Sequence, residues 1–95
     1  MIKHFVLFRA VESTPREKMQ DACDRLEALV GTVPGLVSLK AGTDIGVEGN
    51  FDFGLVAEFP DRSGLDTFST DPAHLEVAEF IAGFRSDIAI LDLTV

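Results

Sequence analysis

The alternating run Phe51, Phe53, Leu55, Ala57 and Phe59 constrains the fold of this chain more than any other segment. Successive residues of a strand point to opposite faces, so in a strand over residues 51–59 all five project to one side. Asp52, Gly54, Val56 and Glu58 form the other side. A face carrying three Phe and a Leu cannot stay in water; it has to be covered by helices or by a second sheet.

The rest of the chain supplies that cover. Residues 2–9 alternate with Ile2, His4, Val6 and Phe8 on one face and Lys3, Phe5, Leu7 and Arg9 on the other. Both faces are apolar in the middle, which predicts a strand covered on both sides. A helix should follow, with Thr14 as N-cap, Pro15 at its first position and Glu17 completing a capping box. Met19, Ala22, Cys23, Leu26, Leu29 and Val30 recur at helical spacing, and Gly31 is placed to end the helix. Residues 36–45 read as a second strand, and Gly46 to Asn50 as a hairpin loop leading into the strand over 51–59. Asp61 can cap a helix over 62–69, and Asp71-Pro72 starts another whose buried stripe is Val77, Phe80, Ile81 and Phe84. A last strand covers residues 87–94.

Strand, helix, strand, strand, helix, strand is the split βαβ order of a ferredoxin-like α+β domain. Right-handed crossovers put the helices on one face of a four-stranded antiparallel sheet. The other face, with Phe5 and Leu7, is then bare in a monomer. The chain has 95 residues, enough for one domain over 1–95, and 46% of them are hydrophobic, with eight Phe. That is more apolar surface than one small domain hides. A homodimer, with two sheets face to face in a barrel and helices outside, is the expected partner arrangement.

The formal net charge of −8 argues against nucleic acid and against anionic membrane surfaces as partners. Cys23 is the only cysteine, so no intramolecular disulfide forms, and its place in the apolar stripe predicts a buried structural thiol. No stretch reads as a signal peptide or a membrane span, and a cytoplasmic protein is expected. No Ser/His/Asp order and no glycine-rich phosphate loop stands out. The acids Asp21, Asp24 and Glu27 read as a solvated helix face.

Chemistry is carried by the two histidines, His4 in the opening strand and His74 at the third position of a helix. Imidazole titrates near neutral pH, so either can move protons in a cell. A helix N-terminus disfavours imidazolium at His74, while Asp71 and Glu76 favour it. Adding Asp71 or Glu76 to the histidines leaves too sparse a set for a closed zinc site, so neither metal nor cofactor is expected. The plainer readings are a packed core His4 and a simple helix start at Asp71-Pro72-Ala73-His74.

The opening Ile2-Lys3-His4-Phe5-Val6-Leu7-Phe8, the helix after it, and Phe68-Ser69-Thr70-Asp71-Pro72-Ala73-His74 together resemble the stress-responsive A/B barrel family over nearly the whole chain. The resemblance implies a dimeric α+β barrel, in a family most of whose members have no assigned activity. One branch is a plant polyketide cyclase, in which a strand-one His and the His of a Pro-Ala-His helix start serve the chemistry; these match His4 and His74. That enzyme also uses a Tyr six residues before its second His, where this chain has Phe68. The expectation is a pocket between sheet and helices for a small apolar or phenolic molecule, lined by Val6, Phe53, Phe68, Val77 and Ile81 and flanked by His4 and His74. Binding without assigned activity is the first reading. A cofactor-independent cyclase-like enzyme and, by fold analogy, a cofactor-free monooxygenase are the alternatives.

Overall fold

A computed structural model describes residues Met1–Val95. The elements are β1 (Ile2–Ala10), α1 (Arg16–Glu27), β2 (Ser38–Thr43), β3 (Phe53–Phe59), α2 (Arg62–Thr70), α3 (Pro72–Ala82) and β4 (Arg85–Thr94). All neighbouring strands are antiparallel and lie in the order β2-β3-β1-β4. This is the ferredoxin-like α+β fold predicted above, with β1 and β3 central and β2 and β4 at the edges.

The core lies between the sheet and the helices. It takes Phe53, Leu55, Ala57 and Phe59 from β3, Val6 and Phe8 from β1, and Leu39 from β2. The helices return Ala22, Cys23 and Leu26 from α1, Leu65 and Phe68 from α2, and Val77 and Ile81 from α3. Phe59 and Ala57 are wholly buried; burying a side chain the size of Phe59 contributes about 1.5–3 kcal/mol. Phe51 falls outside this row. It precedes β3, and its ring instead lies 4.2 Å from the Arg9 guanidinium.

Several local expectations shift. Thr14 does not cap α1: the N-cap position is Pro15, with extended backbone and no side-chain cap bond. Gly31 does not end α1 either. The helix closes at Glu27 with Ala28 as C-cap, and Gly31 serves the following turn with φ 87°. The stripe therefore continues beyond the helix, where Leu29 is buried and Val30 is exposed. β2 is shorter than its alternation suggested, and Ile45 lies in the loop, 92% exposed. The loop itself is organised by Asp44, whose carboxylate accepts from the Gly46 and Val47 amides and from Asn50 Nδ2. Asp61 caps α2 by accepting from the Gly64 amide, and Asp71 caps α3 by accepting from Ala73, with Pro72 at the first position. No helix is long and apolar enough to cross a membrane.

The helices contact β2 and β3, while β4 packs mainly on β1. Only Ile88 of β4 is half-buried; its other residues are exposed. That uneven cover is what opens a cleft beside β4.

Candidate functional site between α2 and the β1–β4 edge

His4 and Asp92 are brought together by strand register. Antiparallel pairing sets Phe8 opposite Ile88, Val6 opposite Ile90 and His4 opposite Asp92. Directly opposed residues share one sheet face, here the face toward the helices. His4 Nδ1 and Asp92 Oδ1 are 2.5 Å apart. An ionised carboxylate only accepts, so His4 Nδ1 carries the proton and donates it to Asp92. Nε2 points away from Asp92, and in the neutral tautomer it carries the lone pair that can accept a proton. The His4 side chain is 12% exposed and that of Asp92 41%.

Beside this pair lies a cleft of about 520 Å³. Its floor is Ile2, His4, Ile90 and Asp92 of the sheet edge, and its facing wall is Arg62, Leu65, Asp66 and Ser69 of α2. The cleft mixes apolar side chains (Ile2, Leu65, Ile90) with polar ones from both walls (His4, Asp92, Arg62, Asp66, Ser69), and apolar surface with a few polar groups is how small molecules are held.

His74 stands on the far side of Phe68. The His74 ring centroid is 4.1 Å from that of Phe68, and Phe68 is in turn 6.2 Å from His4. Phe68 is 1% exposed and also packs on Phe59, 5.2 Å away. Phe68 thus touches both imidazoles. His74 reaches this place because Asp71 and Pro72 start α3 abruptly after α2 and put residue 74 on its inner side. Burial pushes the His74 pKa below its ordinary value and His4, when protonated, adds to the lowering, while the Ser69 carbonyl and Asp71 oppose it. Desolvation dominates, so His74 is a neutral imidazole at pH 7. Its Nδ1 is buried and has no partner in the protein.

The five residues expected to line a pocket lie elsewhere. Val6, Phe53, Phe68, Val77 and Ile81 are all members of the buried core, packed against each other and their neighbours. They fill the space between sheet and helices rather than wall a cavity there, each being at most 8% exposed. Phe53 alone also borders the hollow on the opposite sheet face. Of the five, Phe68 bears on the site, through its contact with both histidines.

Asp92 and Ser69 were missed by sequence reasoning. Asp92 carried a signal: it interrupts the apolar row Ile88, Ile90 as His4 interrupts Ile2, Val6, Phe8, and antiparallel alignment of the two rows pairs the interruptions. No group of three or more His, Cys, Asp or Glu is placed to hold a metal ion. Cys23 is buried, and its thiol pKa is pushed up to about 11 by burial, with Asp24 and Glu27 adding to the shift.

Comparison with known proteins agrees with this architecture. Residues 2–95 match the family model described as stress responsive A/B barrel domain. A dimeric protein of unknown function and ferredoxin-like fold from Bacteroides fragilis superposes with a TM-score of 0.89 at 21% identity, covering 99% of this chain and 95% of that one. A dimeric ferredoxin-like protein of unknown function from Thermobifida fusca gives 0.89 at 25% identity, covering 99% and 90%. Hydroxynitrile lyase from Passiflora edulis gives 0.85 at 19% identity, covering 99% and 92%. Among the curated proteins no sequence matches this chain.

Proposed function

The chain belongs to the stress responsive A/B barrel domain family, and from that premise we propose that it is a homodimer binding a small, largely apolar molecule in the cleft between α2 and the β1–β4 edge. The ligand class is a phenolic or carbonyl compound, whose oxygen meets His4 while its carbon frame lies on Ile2, Leu65 and Ile90. The observation that carries this reading is the His4–Asp92 pair in the cleft. The two structural relatives described as dimeric support the homodimer. A lone, buried thiol fits a cytosolic protein.

The same pair favours a second reading, acid–base catalysis without a cofactor. His4, oriented through Nδ1 by Asp92, has its Nε2 free as a general base. It would take a proton from the carbon next to a carbonyl, leaving an enolate and an imidazolium paired with Asp92, and return that proton to carbon or oxygen. His74, neutral and with an unpartnered Nδ1, would accept a hydrogen bond from a phenolic or enolic hydroxyl once Phe68 moves aside. The hydroxynitrile lyase among the relatives supports proton chemistry on this fold by analogy alone.

The test is a screen of phenolic and polyketide-like carbonyl compounds, with binding followed by ligand-detected NMR and turnover by mass spectrometry. Wild type should bind at least one class, and His4→Ala and Asp92→Asn should weaken binding or turnover. A hit whose turnover is equal in wild type, His4→Ala and His74→Ala removes both histidines from catalysis. A hit whose binding is unchanged in His4→Ala and Asp92→Asn removes the cleft as the site.

A further inference from the structure

Arg62 is the only lysine or arginine among the side chains lining the cleft between α2 and the β1–β4 edge. It follows the cap residue Asp61 and opens α2. Leu65, Asp66 and Ser69 lie three, four and seven residues on, so all four share the helix face that overlooks the cleft. The Arg62 side chain is 83% exposed, so packing does not account for its place there.

The charges around the cleft are unevenly engaged. Asp92 accepts from His4 Nδ1. The closest carboxylate oxygen to Arg62 is Asp66 Oδ1, 3.5 Å from Nε, longer than an ordinary hydrogen bond. Both side chains stand in solvent, where such a pair holds its partners only weakly. A guanidinium carries five N–H donors, so the four on its two terminal nitrogens remain for an acceptor from outside the chain. They form the planar fork that matches a carboxylate bidentately. Asp66 and Asp92 disfavour a dianion nearby, so the single charge of a carboxylate suits this place better than a phosphate does. A cationic ligand has less to meet, because each of the two acids already faces a cation or a proton donor.

Spacing sets the size of the molecule. The Phe68 ring lies 6.2 Å from the His4 imidazole and marks the level of His4 on α2. Arg62 is six residues earlier, about 9 Å along the helix axis. Apolar Ile2, Leu65 and Ile90 also line the cleft. A molecule that puts one oxygen at His4 and an acid at Arg62 therefore needs a carbon frame of about that length, such as a benzene ring with a short arm.

We propose that Arg62 reads a carboxylate, and that the ligand of this cleft is a phenolic or oxo acid rather than a neutral phenol or ketone. The proposal rests on the cleft reading above and adds the second functional group of the ligand. Asp66 tunes the site by competing for the same guanidinium.

A matched pair of probes tests this, para-hydroxyphenylpropanoic acid and its primary amide, which share shape and differ in charge. Dissociation constants are measured by ligand-detected NMR at neutral pH and low salt. Wild type should bind the acid about tenfold more tightly than the amide, since a charge-assisted pair replaces a neutral one. Arg62→Gln should erase that preference by weakening the acid alone. Asp66→Asn should strengthen acid binding severalfold and leave the amide unchanged. Raising the salt to about 0.5 M should weaken the acid more than the amide. An acid that binds no more tightly than the amide, or a preference that survives Arg62→Gln, overturns the role of Arg62. The cleft reading stands in that case if His4→Ala still weakens both probes. Binding of neither probe, or binding that His4→Ala leaves unchanged, overturns the cleft reading and the role of Arg62 with it.

Discussion

Replacing Phe68 by Ala should both weaken the fold and join the two histidines across one cavity. The side chain is 1% exposed, so nearly its whole transfer free energy is lost, about 2–3 kcal/mol for a ring of this size. The hole cannot collapse easily. It is backed by the fully buried Phe59 on the central strand β3 and faced by His74 on α3 and His4 on β1. A cavity contribution therefore adds to the transfer loss, and the sum should reach about 3–5 kcal/mol. A domain of this length has a total stability on the order of 5–14 kcal/mol, so the loss removes a large share of it. The assay is urea unfolding at fixed protein concentration, since self-association contributes to apparent stability. The midpoint should fall with the slope unchanged. Phenol or toluene, which fits a space vacated by a benzyl group, should then restore about 1.4 kcal/mol when present at about ten times its dissociation constant. A loss below about 1 kcal/mol would refute the wedge role of Phe68. Equal stabilisation of wild type by the same compound would refute the cavity.

Two further expectations follow from the same structure. Because burial lowers the His74 pKa in the folded state, the unfolded chain binds more protons once pH drops below the ordinary histidine value. The stability associated with a neutral His74 is therefore complete above about pH 6.5 and is lost as pH falls through the lowered folded value. Urea midpoints measured down to about pH 5 should fall more steeply for wild type than for His74→Gln, and parallel curves would contradict this. At the helix starts, Asp71→Ala should cost about 1 kcal/mol, because the cap bond to Ala73 is lost, while Thr14→Ala should change stability by less than about 0.5 kcal/mol. Equal thermal shifts in the two variants would contradict the capping assignment.

The two caps show where local reading succeeds and where it does not. Asp61 and Asp71 are each followed by a helix whose register leaves a free amide two or three residues on, and both do cap. Thr14 has the same sequence signature, but the chain stays extended through Pro15 and the first turn begins a residue later. A cap depends on one dihedral pair, and the path of the incoming chain from β1 sets it. Strand boundaries failed for a related reason. Ile45 and Phe51 continue an alternation, yet the Asp44 network turns the backbone away before Ile45 can pair. Hydrophobic periodicity marks which residues are able to pair; a turn decides how many do.

For the site, residue types were legible and their company was not. His4 and His74 stood out because they are the only imidazoles. Asp92 is one acid among sixteen, and only register singles it out. The pocket expected among Val6, Phe53, Phe68, Val77 and Ile81 illustrates the opposite limit. Apolar periodicity identifies inward-facing residues, but the same pattern serves a filled core and a lined cavity, and packing density separates the two.

By itself the sequence determined the element order, the inward and outward faces of each strand, the starts of α2 and α3 and the bare second sheet face. Those features follow from backbone chirality and from interactions within a few residues, which travel with the chain. Only the tertiary structure decided that His4 meets Asp92 at the far end of the chain, that Phe68 stands against both imidazoles, and that the open space lies beside β4. These depend on strand register and on which strands the helices leave uncovered. Register and helix placement come from minimising exposed apolar area over the whole domain at once, and no short window of residues contains that balance.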